Sequence, residues 1–291
     1  MDSRNVQRTG DMFYMYLPTR WCKKYNISGK TKVGVQINAD GSLSIYPQAA
    51  TKKKTHLQIK VKDDNIEALH KLIVASYISP ADSFKITLDN KLDFTKILNQ
   101  KNLVSLELVE IDGNHILCES SMSVNDPLLL LTTMIRKIRN LLSVLVTDAP
   151  HELFDRYESE VDRSRVLIEK SVIGSFVNPA ESQHKTVELY FISLISKELE
   201  RLADHLVSLD TPSEKFCARI AKALGLVQEL LDNACKNLNI ESALEFVTFI
   251  STLQDVKVKD VESYDQRRIV RALHAISEVI IDWAVIKEGE K

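Results

Sequence analysis

The sequence has no Cys-x-x-Cys pair. Its four cysteines, Cys22, Cys118, Cys217 and Cys235, stand far apart, which argues against a finger or ribbon zinc site and for reduced thiols in a cytoplasmic protein. With only eight glycines in 291 residues, little room is left for a phosphate-cradling loop. There is no P-loop, no dinucleotide-binding glycine fingerprint, no Gly-x-Ser-x-Gly and no His-Glu-x-x-His. No apolar run reaches the roughly 18 residues that span a bilayer: Leu128–Leu131 is soon followed by Arg136, Lys137 and Arg139. The first eight residues, Met1 to Arg8, lack the apolar core of a secretory signal. These absences point to a cytoplasmic protein that is not an enzyme.

What is present is an uneven charge. Residues 1–54 carry ten Lys/Arg against Asp2, Asp11 and Asp40, a net +7, which leaves −9 for the rest of a chain whose total is −2. A basic head on an acidic body suggests a polyanion-binding module joined to something else. Arg4, Arg8, Arg20, Lys23 and Lys24 are the candidates for contact with double-stranded DNA, where lysine and arginine neutralise phosphates.

Hydrophobic periodicity divides the chain into three. In residues 1–50 the spacing predicts a strand at Met12–Leu17, a helical turn over Thr19–Tyr25, and two alternating strands around Asp40-Gly41, a hairpin signal. So short a segment is thin for an independent core, and a homodimer would remedy that. Residues 56–122 read β-α-β-α-β-β, a small α/β domain with a short helix at Phe94–Leu98 and a closing hairpin from Leu106 to Cys118. His56, His70 and His115 are isolated there and read as surface or structural side chains. Residues 126–288 are helical. Pro127, Pro150, Pro179 and Pro212 each suit a first helical position, and Thr211 to Glu214 has capping-box spacing. Helices are expected near 127–148, 150–175, 180–209, 213–236, 240–254 and 262–287, an up-and-down bundle. In the third, Ile192, Ile195, Leu199, Leu202, Leu206 and Leu209 form a 3-4-3-4-3 seam that belongs to the core. The fold class is thus α+β and multidomain.

Off that seam, Glu200 and Asp204 lie four residues apart on one helical face. Glu278 and Asp282 repeat the spacing, which hints at an internal duplication. Carboxylate pairs on adjacent helices can surround one cation with hard oxygen ligands, favouring Mg, Mn or Fe over structural zinc.

Leu199-Glu200-Arg201-Leu202-Ala203-Asp204-His205 resembles the Glu-Arg-Ile-Gly-Asp stretch of the PhoU family of phosphate-uptake regulators, and Glu158-Ser159-Glu160-Val161-Asp162 resembles its partner motif. The resemblance implies two tandem three-helix bundles with metal, divalent or trivalent, on acidic motifs of their outer faces: Glu158, Asp162, Glu200 and Asp204 in the first, Glu278 and Asp282 in the second. The second motif departs from the family in lacking its arginine and glycine. The stretches Val6–Gly10, Leu17-Pro18-Thr19-Arg20-Trp21, Ile27-Ser28-Gly29 and Asp40–Ile45 resemble an AbrB-type swapped-hairpin DNA-binding domain. Together the resemblances imply a dimeric, DNA-binding regulator of phosphate uptake. The alternative is an adaptor acting on a phosphate transporter ATPase or a sensor kinase.

Overall fold

A computed structural model describes residues 3–38, 41–47, 55–62, 65–91, 109–119, 126–147, 149–177, 182–210, 212–253 and 256–290. The chain divides into two compact units, Met1–Lys53 and Lys54–Lys291.

The first unit contains two antiparallel ribbons and one short helix. Strands β1 (Gln7–Thr9) and β2 (Met12–Tyr14) pair with Thr9 opposite Met12. The two-residue turn between them starts at Gly10, whose φ of +62° is a left-handed value that glycine adopts freely. Helix α1 (Thr19–Lys24) follows Pro18, which occupies its N-cap position. Strands β3 (Gly34–Ile37) and β4 (Leu43–Tyr46) form the second ribbon, with Gly41 at φ +79° in the turn. The expected hairpin is therefore present, β1 is an addition to the sequence reading, and Asp40 lies outside the described residues. None of the unit's described residues is buried. Val6, Met12, Phe13, Tyr16, Val35, Ile37 and Leu43 are all 60% exposed or more.

The second unit begins with a four-stranded sheet in the order β5-β6-β8-β7. Strand β5 (His56–Val61) runs parallel to β6 (Ser83–Leu88), and helix α2 (Ile66–Ile78) forms the crossover. The hairpin β7 (Val109–Asp112) and β8 (His115–Glu119) completes the sheet antiparallel to β6. The short helix expected at Phe94–Leu98, and Leu106 and Leu108 of the expected hairpin, lie outside the described residues. Asn65 caps α2 by accepting the Ala68 N–H at 3.0 Å. Leu69, Ile73 and Tyr77 of α2 pack on Phe84, Ile86 and Leu88 of β6, and this core takes in Val166 from the helical part.

The helices are α3 (Pro127–Leu145), α4 (His151–Val177), α5 (Thr186–Val207), α6 (Glu214–Asp232), α7 (Ala234–Asn237), α8 (Ile240–Ser251) and α9 (Val261–Gly289). Helices α3, α4 and α5 pack on one another. Helix α8 packs on α6 and α9, and the two sets meet through α5 on α9 and α3 on α6. One continuous apolar core runs through both. Every seam residue expected from the spacing is buried, Ile192, Ile195, Leu199, Leu202 and Leu206 completely and Leu209 at 4%.

The proline expectations need correction. Pro127 does occupy the first helical position, after Asp126, whose Oδ1 accepts the Leu129 N–H at 3.0 Å. Pro150, by contrast, precedes a helix that begins at His151. Pro212 precedes the cap, Ser213, whose Oγ accepts the Phe216 N–H at 3.3 Å, and Thr211 of the expected capping box lies outside the described residues. Helix α5 starts at Thr186, not near 180, and Pro179 lies outside the described residues. There the Lys185 N–H donates to Glu188 Oε2 at 2.9 Å. His184 spans the starts of α3 and α5, with Nε2 3.1 Å from Asp126 Oδ1 and Nδ1 3.7 Å from Glu188 Oε2. The hydrogen bond to Glu188 is the largest influence holding its pKa above the usual histidine value, against burial.

The core makes a quantitative claim. Leu199→Ala removes a fully buried side chain between packed helices and is expected to cost about 2–5 kcal/mol. Leu129→Ala, at 58% exposure, is expected to stay within about 0.5 kcal/mol. Urea unfolding of the two variants against the parent chain checks both.

Candidate functional site

Helices α4 and α5 cross so that the two acidic motifs face each other. Glu158 and Asp162 lie one turn apart on α4, and Glu200 and Asp204 one turn apart on α5. Glu158, Asp162 and Glu200 are half-buried, while Asp204 is exposed.

The crowding has a measurable consequence. Burial, then the neighbouring Glu200, Asp204 and Glu158, push the Asp162 carboxyl up to about 7, against a smaller lowering by Arg165. Burial, Glu200 and Glu158 likewise raise Asp204 to about 6, opposed by His205 and Arg165. Like charges held together in a partly desolvated site resist full ionisation. The sequence-predicted quartet of α4 and α5 is thus brought together within electrostatic reach. Asp204 is exposed, while Asp162 and Glu200 line a cavity of about 350 Å³ against α2.

Arg165 is a residue the sequence reading missed. It stands one turn beyond Asp162, its Nη1 2.7 Å from Glu169 Oε2 and its Nε 3.2 Å from Glu200 Oε1. Lys197 Nζ reaches Glu169 Oε1 at 3.4 Å. Arg201, inside the motif, turns away to Glu198 at 2.6 Å. His205 also turns away: its Nδ1 is 2.8 Å from Asp265 Oδ1 on α9, and Arg268 Nε donates to its Nε2 at 3.4 Å. Both ring nitrogens are thus engaged, which leaves none free for a metal.

The carboxylate oxygens suit a hard cation, Mg, Mn or Fe, by charge and donor type. Among the described residues, no three Asp, Glu, His or Cys side chains already converge in a coordinating arrangement. A cation at this site has to draw Glu200 away from Arg165, and its ligands would be Glu158, Asp162, Glu200 and Asp204. Glu278 and Asp282 are exposed on α9, and Glu241 and Glu245 are exposed on α8.

In the first unit, Arg4, Arg8, Arg20, Lys23 and Lys24 are all exposed. Arg20, Lys23 and Lys24 share one face of α1. Arg8 is engaged locally: its Nε donates to the Gly10 carbonyl at 2.8 Å, Nη2 is 3.5 Å from Asp11, and the guanidinium stacks 5.5 Å over Phe13. Among the described residues no helix is long and apolar enough to cross a membrane.

No family model matches the sequence, and neither a curated protein nor a solved structure matches it.

The raised Asp162 carboxyl predicts a pH dependence. The folded chain keeps a proton there up to about pH 7, whereas the unfolded chain loses it near pH 4. Stability therefore falls as pH rises through that window. Asp162→Asn removes the penalty. In chelator, its Tm is expected to exceed the parent's by roughly 2–5 °C at pH 8 and to match it at pH 4. Thermal melts at the two pH values check this, and a lower Tm at pH 8 contradicts it.

Proposed function

We propose that this chain is a dimeric, DNA-binding regulator of phosphate uptake, whose helical unit senses its state through a divalent or trivalent cation held by Glu158, Asp162, Glu200 and Asp204. The observation that carries the DNA-binding half is the first unit itself. None of its described residues is buried, most of its large apolar side chains are exposed, and residues 1–54 carry a net +7 in a chain whose total is −2. Two facing copies would cover those apolar ribbons and double the charge presented to one duplex. The AbrB-type resemblance supports that arrangement. The crowded quartet supports the sensing half, because a cation relieves the repulsion that burial imposes. The link to phosphate rests on the PhoU-like motifs and on the packing of α3–α5 and of α8 with α6 and α9.

The test is fluorescence anisotropy of labelled duplex from upstream of phosphate-transport genes, at several salt concentrations. The full chain is compared with Arg20→Ala/Lys23→Ala/Lys24→Ala. With six phosphate contacts per dimer, affinity is expected to fall about 10³-fold between 50 and 200 mM salt, with a shallower salt slope in the triple variant. Absence of any binding at low salt removes the DNA half. It directs the search to a transporter ATPase or sensor kinase as partner.

A further inference from the structure

We propose that the cavity between α2 and the α4–α5 pair is a binding site for a small organic carboxylate with an apolar body. Arg165 and His70 would hold the charged end, and the aliphatic wall of α2 and α4 the rest. At about 350 Å³ the cavity is of the size that takes small ligands. It adjoins the carboxylate quartet, two of whose members, Asp162 and Glu200, line it.

His70 and Arg165 both line this cavity, and among the described residues neither His70 Nε2 nor Arg165 Nε, both buried, has a hydrogen-bond partner. The Arg165 Nε lies within ion-pair distance of Glu200, but its N–H is not directed at that oxygen. Buried polar atoms of this kind are costly unless something pairs with them. The guanidinium is always a donor. Burial and the nearby Lys71 hold the His70 ring below the usual histidine pKa, so it is neutral at pH 7 and can present an N–H at Nε2. Two N–H groups suit the two oxygens of one carboxylate.

Val74, Ile78, Val166 and Leu167 also line the cavity, which calls for an apolar ring or chain. The charged lining is mixed, with Lys71, Arg163 and Arg165 beside Asp162 and Glu200, so a single negative charge is easier to accommodate than two. The cavity is also held open by a fixed contact. Lys170 of α4 donates to the Tyr77 carbonyl at 2.5 Å, and its Nζ lies 4.4 Å over the Tyr77 ring, tying the last turn of α2 to α4.

The experiment is fluorine NMR of 4-(trifluoromethyl)benzoate titrated with the full chain. The expected result is saturable one-site binding, at least about tenfold weaker for the neutral 4-(trifluoromethyl)benzyl alcohol. His70→Phe keeps a ring but removes the nitrogen, and is expected to weaken the benzoate by a similar factor. Ala75 is exposed on α2 and lines the cavity, so Ala75→Trp fills the space without entering the core and is expected to abolish binding. Absence of saturable binding, equal affinity for the alcohol, or benzoate affinity unchanged by Ala75→Trp would overturn the proposal. His70→Phe decides the matter if the tryptophan variant does not fold.

Discussion

The arrangement of the second unit turns on four carboxylates that two helices force together. The apolar seam of α5 and the core residues Val161 and Ile168 of α4 bury one side of each helix. That packing fixes the rotation of both, and the rotation leaves Glu158, Asp162, Glu200 and Asp204 facing one another. Repulsion in a half-desolvated place then works against the packing that created it. The cost is limited in two ways: the raised Asp162 and Asp204 carboxyls favour their protonated forms, and the Arg165 guanidinium stands between Glu169 and Glu200. Both are weaker remedies than the multivalent cation proposed for this site.

The small sheet is not an appendage to the bundle. Val166 belongs to its core, Lys170 is tied to the end of α2, and the cavity beside Asp162 has one wall on each. Charge changes at the quartet are therefore within contact distance of α2. The first unit poses the opposite problem. Its ribbons have regular pairing and well-placed turn glycines, but none of its described residues is buried, and Phe13, Ile37 and Leu43 stay exposed.

Much of this was legible in the sequence, for identifiable reasons. The 3-4 spacing of α5 allowed only one buried face, and the i, i+4 acids off that face had to stand together. The alternation around Gly41 allowed only a hairpin. Helix starts were harder, because a proline also suits the residues just outside a helix: Pro150 and Pro212 both precede the first helical residue, and Ser213 is the cap. Strand β1 was missed although Thr9-Gly10-Asp11-Met12 carries a glycine-first two-residue turn. Arg165 was missed although it lies one helical turn from Asp162, since attention to acidic ligands passes over the base that compensates them. His70 could not have been found this way. It lies 92 residues from Asp162, and only the tertiary contact of α2 with α4 places the two on one cavity.

The most direct test of the central claim is a count of protons released when the metal-free chain, at pH 6.5 in weak buffer, is titrated with manganese. If the cation enters the quartet, it must displace the protons shared by Asp162 and Asp204, and the account predicts release of about one proton per cation bound. The release should be absent in Asp162→Asn/Asp204→Asn. Binding without proton release, or release unchanged in that variant, would mean that the cation sits elsewhere and that the quartet is not the sensor.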